Sequence, residues 1–273
     1  QMCIRDSLYT AHKDEWKRLA DIDYFGLFVK AYIPFNAWMN VSYTSPNMES
    51  DRAKINAVKR DPNPFRNKIC ALLNANNQKG SYFRGLIGEL HDLLENHYIH
   101  NQDKRISFTC VIIGKNTNNT AIDSYRGIGY RVQYGNGTPG NTQTEVLIKN
   151  HAGHAIVHIT QPDYDLAGLK AHHDFIAIVQ DERKNRLLNC YKQVEPYLVK
   201  DFTTGFDVND ESCYYECGNY KFIKEEENIA KGLIEIIYNM RNTLFHGELI
   251  PDDDANLTYG AAYKILRTLI NAI

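Results

Sequence analysis

Three residues near the C-terminal end of the sequence have the types and spacing for phosphodiester chemistry. Arg241 and Asn242 are followed, after three further residues, by His246. Histidine exchanges a proton near neutral pH, so it can act as a general acid or base. A guanidinium stabilises negative charge that develops on a phosphate. We therefore predict that His246 is the acid/base, that Arg241 stabilises phosphate, and that Asn242 orients either the histidine or the phosphate.

The spacing alone is weak evidence for such a site. An arginine precedes a histidine by four to six intervening residues in three pairs, namely Arg5/His12, Arg84/His91 and Arg241/His246. About 1.4 such pairs are expected by chance, which sets the false-positive level of the motif. Only in the third pair does asparagine follow the arginine and glycine follow the histidine. The context of that pair, and not its spacing, selects it; Arg84/His91 is interpreted as an ordinary surface pair.

A helix over residues 225–246 positions the third pair. Glu225, Glu226 and Glu227 place negative charge in its first turn, and Gly247 suits the position just after its end. At ~100° per residue, the apolar residues from Ile229 onwards form one stripe. A polar column lies opposite this stripe and consists of Glu235, Asn239, Asn242 and His246. We expect this column to face away from the core, with Arg241 at the edge of the stripe; a plain solvated helix face is the alternative interpretation.

The remaining elements are helices on either side of a group of strands. Apolar periodicity predicts a helix over 13–43, kinked or split at Pro34, and helices over 51–59, 65–77, 81–97 and 181–195. Short β-type runs occupy 108–113, 128–134, 145–149 and 155–159, and a loop or short hairpin occupies 201–220. A last helix opens at Asp252–Asp254, with an apolar stripe that includes Leu257, and forms an antiparallel hairpin with the helix before it.

This pattern predicts a mainly α (α+β) fold, a helical bundle with a small antiparallel β insertion. We assign residues 8–104 to the N-terminal part of the bundle, 105–160 to the insertion and 161–273 to the C-terminal part. Residues 1–7, in which Gln1 precedes Met2, are interpreted as a non-native leader and set aside.

Composition and charge argue against several classes of protein, although transient contact with RNA through a small local patch stays open. The 31 basic and 33 acidic residues give a net charge of −2, whereas proteins that stay bound to DNA usually carry a basic field. No run approaches the ~18 apolar residues of a membrane span, and the N-terminal residues lack the apolar segment of a signal peptide. The six cysteines are scattered, which indicates reduced thiols and a cytoplasmic location.

The run Tyr-Asn-Met-Arg-Asn-Thr-Leu-Phe-His-Gly at 238–247 closes a long amphipathic helix and precedes one more helix. This combination resembles the HEPN family, whose motif is an arginine, a polar residue, three to five further residues and a histidine. Tyr-Ile-Pro-Phe-Asn-Ala-Trp at 32–38 also looks like the opening helix of certain HEPN proteins of prokaryotic defence systems. The strands near 106–160 have no counterpart in a minimal HEPN bundle.

The resemblance implies a helical bundle and a metal-independent endoribonuclease, with no cofactor, that acts as a toxin or antiviral defence effector. It also implies a homodimer in which two motifs face one cleft, and RNA products with 2′,3′-cyclic phosphate and 5′-hydroxyl ends. The substrate would be RNA, such as tRNA or single-stranded RNA. An antitoxin or activator partner would be of unknown identity.

One position departs from the family pattern. In HEPN toxins paired with a nucleotidyltransferase antitoxin, a tyrosine commonly stands two residues after the motif histidine, and here that residue is Glu248. Neutralisation by modification of that tyrosine is therefore not expected. The alternative function is a catalytically silent HEPN module that binds RNA or nucleotide, or that serves as a dimerisation scaffold.

Other candidate sites are weaker. Arg126, Tyr130, Arg131 and Tyr134 mix cations and aromatic rings on the predicted strands, which is typical both of RNA-stacking surfaces and of ordinary half-buried strands. Cys213 and Cys217 have the wrong spacing for common zinc ribbons. His172 and His173 beside Asp174 are interpreted as surface residues. We predict no metal site.

Overall fold

The computed structural model describes residues 23–45, 48–101, 104–135 and 140–273. The predicted leader and the first part of the predicted helix 13–43 lie outside these residues. These residues form two compact units, one made of the described residues up to Val111 with Lys200–Ile273 and the other of the described residues within Ile112–Val199. Helices predominate, and the strands form small antiparallel sheets, so the fold class is mixed α+β.

The described elements follow one another in this order. Four helices come first, namely α1 (Tyr24–Ser42), α2 (Asp51–Arg60), α3 (Pro64–Asn74) and α4 (Gln78–Asn96). Strands β1 (His100–Asn101), β2 (Lys104–Arg105), β3 (Val111–Lys115), β4 (Thr120–Tyr125), β5 (Ile128–Tyr134), β6 (Thr144–Lys149) and β7 (Ala155–Gln161) follow. Then come α5 (Leu166–Ala171), α6 (His173–Ile176), α7 (Asp181–Gln193), β8 (Tyr197–Lys200), β9 (Tyr214–Cys217), β10 (Tyr220–Ile223), α8 (Glu226–His246) and α9 (Asp253–Leu269).

The sequence marks the ends of the helices in the first unit. The Asn63 side chain accepts a hydrogen bond from the backbone N–H of Arg66, and Pro64 occupies the first turn of α3. Asp252 caps α9 in the same way through the N–H of Ala255. Helix α8 stops at Gly247, which has φ 68° in the left-handed region that glycine tolerates. The predicted bounds of these elements are confirmed to within a few residues.

Helix α8 lies at the centre of the first unit. It packs against α2, α3 and β1, and residues 232–238 are all buried. Helix α9 packs against α1 and α4, and α4 also packs against β9. A helix buried on every side must be apolar nearly all round, so any charged residue in its middle needs a partner. Among the described residues, no helix is both long and apolar enough to cross a membrane.

The second unit consists of a four-stranded antiparallel sheet and helices. The strand order is β4-β5-β6-β7, and α7 packs on β4 and β5. Its core includes Val132, Val146, Ile148, Ile159 and Leu187. Strands β3 and β8, near the two ends of this unit in the sequence, form a separate two-stranded sheet.

Of the two effects predicted for Pro34, a split does not occur, because helix α1 is continuous from Tyr24 to Ser42. The structure differs from the sequence predictions at two further points. The second unit extends to Val199, so residues 161–199 belong with the sheet and not with the C-terminal helices. Leu257, predicted on the buried stripe of α9, is half exposed at 52%, whereas Ala261, Ile265 and Leu269 are buried. The pattern located α9 correctly but assigned Leu257 to its buried face, which Ala255, Thr258 and Tyr259 occupy instead.

The Arg84/His91 pair, predicted to lie on the surface, has two separate structural roles. Arg84 donates to the carbonyl oxygens of Leu73 and Ala75 at the end of α3. His91 is only 3% exposed and meets the rings of Tyr220 and Phe222 edge-on. Burial lowers the pKa of His91, and the nearby Glu95 only partly opposes that effect.

The lowered pKa of His91 predicts a loss of stability in mild acid. Below the ordinary histidine pKa of ~6.5, the unfolded chain binds a proton that the folded chain resists, so the free energy of unfolding falls as the pH drops. His91→Gln removes this titration. Urea unfolding at pH 7.5, 6.5 and 5.5 should show a shallower acid slope for this variant than for the wild type. The exposed His154 gives a matched control; equal slopes for His91→Gln and the wild type would contradict the prediction.

Candidate active site

The C-terminal end of α8 carries the candidate residues Arg241, Asn242 and His246. The Arg241 guanidinium donates from Nη1 to the Asn242 side-chain oxygen over 2.9 Å. Asn242 and His246 lie four residues apart on one helix and are therefore neighbours on its surface. The structure thus joins Arg241 to Asn242 directly and places His246 one turn further on. In the described residues, no hydrogen bond links the imidazole to the other two side chains.

Arg241 is held in place by residues of α1 and α2. Its Nη2 lies 3.4 Å from the Asp51 carboxylate in the first turn of α2. Its guanidinium carbon lies 5.9 Å from the ring centre of Tyr32 and 4.7 Å from that of Phe245. The side chain remains 22% exposed. A cation fixed by a carboxylate, an amide and two aromatic faces is preorganised for an anion at its open side.

The region around His246 is open. His246, Phe245 and Gly247 are exposed, with Phe245 at 56%. The chain then turns into a segment that lines a pocket of about 430 Å³ together with residues 96–100. This segment contributes Glu248, Asp252 and Asp254, and His97 in the opposite wall lies 3.3 Å from the Asp254 carboxylate. The pocket lies next to α8: His100, which lines the pocket, accepts a hydrogen bond at its backbone oxygen from the Thr243 hydroxyl of α8.

The prediction that the polar column of α8 faces away from the core is wrong for the first half of the column. Glu235 is only 1% exposed, and its carboxylate oxygens accept from Lys59 over 2.8 Å and from Arg52 over 2.6 and 2.9 Å. Asn239 accepts from Asn101 over 3.2 Å. Helix α2 and strand β1 cover this side of α8, which helical periodicity cannot reveal. The column is therefore buried at Glu235 and exposed at His246.

Lys59 and Arg52 experience different surroundings although they share Glu235. Lys59 is 3% exposed, and burial lowers its pKa more strongly than Glu235 raises it. Arg52 keeps 44% of its side chain exposed and stacks 4.4 Å from the ring centre of Tyr238. The carboxylate of Glu235 therefore compensates one buried charge and orients one accessible guanidinium close to the candidate site.

The residues predicted to form an RNA-stacking surface do not share a face. Tyr130 is 1% exposed in the core of the second unit, and Tyr134 packs against the same core. Arg131 points to the opposite, exposed face of β5, and Arg126 lies in the β4–β5 turn with φ 48°. Successive side chains of a strand point to opposite faces, so an even-numbered tyrosine and an odd-numbered arginine are separated here. The prediction that these four residues form one RNA-stacking surface is therefore wrong.

One group of potential metal ligands stands out among the described residues. His172, His173 and Asp174 have ligand atoms within 4.8 Å of one another. These residues are consecutive, His173 is exposed and the other two are half-buried, and the His172 Nδ1 already accepts the N–H of Asp174. Cys213 is hydrogen-bonded to Asp210, whereas Cys217 is buried. Neither group resembles a preformed metal centre.

Sequence reasoning missed the residues that support the candidate site from outside α8. Asp51, Arg52 and Tyr32 come from helices far away in the sequence. The one sequence feature that points to any of them is the spacing of Arg52 and Lys59. These residues are seven positions apart, which places two cations on one face of α2. Such a pair becomes informative only when a buried acidic residue elsewhere needs partners. No family model, curated protein or solved structure matches this chain.

Proposed function

We propose that this protein is a metal-independent endoribonuclease of the HEPN type, acting as a toxin or antiviral defence effector in the cytoplasm. One observation carries the proposal: Arg241 is fixed by Asn242 and Asp51 one helical turn from the exposed His246. Asn242 accepts from Arg241, so it orients the guanidinium. The resemblance of residues 238–247 to the HEPN motif gives this arrangement its chemical interpretation.

The reaction requires two proton-transfer groups at one phosphate. A base removes the proton of the ribose 2′-hydroxyl, the 2′-oxygen attacks phosphorus, and an acid protonates the departing 5′-oxygen. Arg241 stabilises the charge on the phosphorane. One chain supplies one motif histidine, so a homodimer with two facing motifs completes the scheme. The exposed Phe245 and Ile250 on either side of Gly247 are suited to contact a second copy.

One observation favours the second candidate function, a silent module that binds RNA or nucleotide or holds a dimer together. The Arg241 Nε is buried without a hydrogen-bond partner, and the rest of the guanidinium already contacts Asp51 and Asn242. These contacts give Arg241 a structural role that does not depend on catalysis. The acidic pocket next to the motif would accept a nucleobase through its exocyclic amino groups more readily than a phosphate.

The two candidates differ in the products formed from RNA. A pool of tRNA and single-stranded RNA is incubated with the protein in EDTA, and the ends of the fragments are identified. We expect 2′,3′-cyclic phosphate and 5′-hydroxyl ends, and no cleavage at positions where the ribose lacks its 2′-hydroxyl. Cleavage that leaves 5′-phosphates, or only when divalent cations are added, would contradict the proposal. Binding without cleavage would favour the silent module.

A further inference from the structure

A basic groove lies on the first unit and contains none of the motif residues. It has a volume of about 420 Å³ and is formed by α3, α4 and the C-terminal half of α9 with the turn after it. Its lining combines four cations, one aromatic residue, two further polar residues and one leucine: Lys68, Lys79, Lys264, Arg267, Tyr82, Thr268, Asn271 and Leu72. No acidic residue lines it. Local charge of this kind is notable in a chain of net charge −2.

Most of the positive charge in this groove is available to a ligand. Lys264 pairs with Glu89 over 2.7 Å, and Arg267 donates to the Tyr263 hydroxyl, which carries no charge. Lys68 and Lys79 have no ion-pair partner among the described residues. Three of the four cations are therefore uncompensated by a carboxylate within the described part of the chain. Like charges held together without counter-charges are unfavourable unless an anion binds between them.

Tyr82 indicates which kind of anion the groove suits. Its side chain is 58% exposed beside the cations, so its ring offers a flat apolar surface at the edge of the groove. Grooves that bind single-stranded nucleic acid combine cations for the phosphates with aromatic rings on which bases stack. An inorganic anion or a sugar phosphate would have no use for the exposed ring. The combination favours a polynucleotide strand.

The groove is well separated from the motif. Helix α9 begins at Asp253, a few residues after His246, and at ~1.5 Å per residue Arg267 lies about 21 Å along that helix. A ligand in the groove would therefore not occupy the candidate catalytic residues. Contacts at such a distance hold a strand without taking part in its cleavage.

We propose that this groove binds the phosphodiester backbone of single-stranded RNA, with one base stacked on Tyr82. The inference rests on the proposed function for its choice of RNA, and it assigns that function a substrate-holding surface outside the reacting centre. Lys68, Lys79 and Arg267 contact successive phosphates. The groove thus increases affinity for long substrates and has no part in the proton transfers at His246.

Binding of an uncleavable RNA tests the groove separately from the nuclease. The full chain is titrated into a labelled 20-nucleotide RNA of which every 2′-hydroxyl is methylated, and anisotropy is measured over a range of KCl concentrations. The test variant is Lys79→Gln/Arg267→Gln, both exposed positions, and the control is Lys170→Gln/Lys192→Gln, two exposed lysines of the second unit. Loss of two phosphate contacts should reduce the slope of log K against log salt by about 1.4, at ~0.7 per phosphate on a single strand.

The stacking contact has its own pair of variants. Tyr82→Ala should weaken binding about fivefold or more, whereas Tyr82→Phe should bind like the wild type. The groove proposal is overturned if the wild type does not bind the RNA, or if the groove variants match the control in affinity and salt slope. If RNA binding depends on the groove but the protein forms no cyclic-phosphate products, the groove proposal is upheld and the proposed nuclease function is contradicted. If the protein cleaves RNA to cyclic-phosphate products but the groove variants bind RNA like the control, the groove proposal is overturned and the nuclease proposal is upheld.

Discussion

Glu235→Ala is expected to lower the free energy of unfolding by about 3–5 kcal/mol, because it leaves Lys59 charged and buried without its carboxylate. Lys59 and Glu235 are 3% and 1% exposed, and their charged atoms are 2.8 Å apart. Arg52 loses the same partner but is 44% exposed, so water can solvate it. The loss therefore arises mainly at Lys59. Urea unfolding followed by circular dichroism measures it.

Two comparison variants identify the cause of this loss. Glu89 pairs with Lys264 over 2.7 Å with both side chains more than one third exposed, so Glu89→Ala should cost at most about 1 kcal/mol. Lys59→Met combined with Glu235→Leu removes both buried charges and should recover most of the stability lost in Glu235→Ala. Similar losses for Glu235→Ala and Glu89→Ala would show that Lys59 is not the buried, compensated charge described here.

Arg241→Ala is expected to slow RNA cleavage by about 10²–10³-fold, the usual effect of removing one group that stabilises transition-state charge. Arg241→Lys should recover only part of this rate, because an ammonium cannot reproduce the planar fork that contacts Asn242 and Asp51. Single-turnover rates at saturating protein measure the chemical step. They are compared with the thermal stability of each variant, since Arg241 also packs against Tyr32 and Phe245.

Asp51→Asn provides the matched control for Arg241. It removes the charge that holds the guanidinium but keeps the guanidinium itself, so its effect on the rate should be much smaller than that of Arg241→Ala. Equal rates for Arg241→Ala and the wild type would exclude Arg241 from the reaction. Equal losses in Arg241→Ala and Asp51→Asn, each with a matching loss of stability, would reduce its role to packing.

Local patterns were sufficient to predict most helices of this protein. Periodicity, acidic first turns and Gly247 located α8 and α9, and the proline pair around Asn63 located the break before α3. Alternation and turn residues predicted most of the sheet. The boundary between the two units was not predictable. Helix α7 packs on β4 and β5, and its local sequence pattern does not show which element its apolar face contacts. Which side of a helix is covered is decided by distant segments.

The candidate site illustrates the same limit. The motif residues Arg241, Asn242 and His246 were identified from α8 alone. The environment of Glu235 was not, since its partners come from α2 and a helical wheel assigns any polar column to solvent. The prediction that Tyr130 lies on an RNA-stacking surface is wrong for a related reason. A strand with tyrosines and arginines has one buried and one exposed face. The helix that packs against the strand decides which residues are on the buried face.

The most direct test of His246 as the acid/base compares the wild type with His246→Ala and His154→Ala on the same RNA pool in EDTA. Both histidines are exposed, so neither replacement should change the fold. The wild type and His154→Ala should produce 2′,3′-cyclic phosphate ends at the same rate. Removing the acid/base should slow His246→Ala by about 10²–10⁴-fold. Equal cleavage by all three proteins, or none by the wild type, would contradict the assignment of His246 as the acid/base of a ribonuclease.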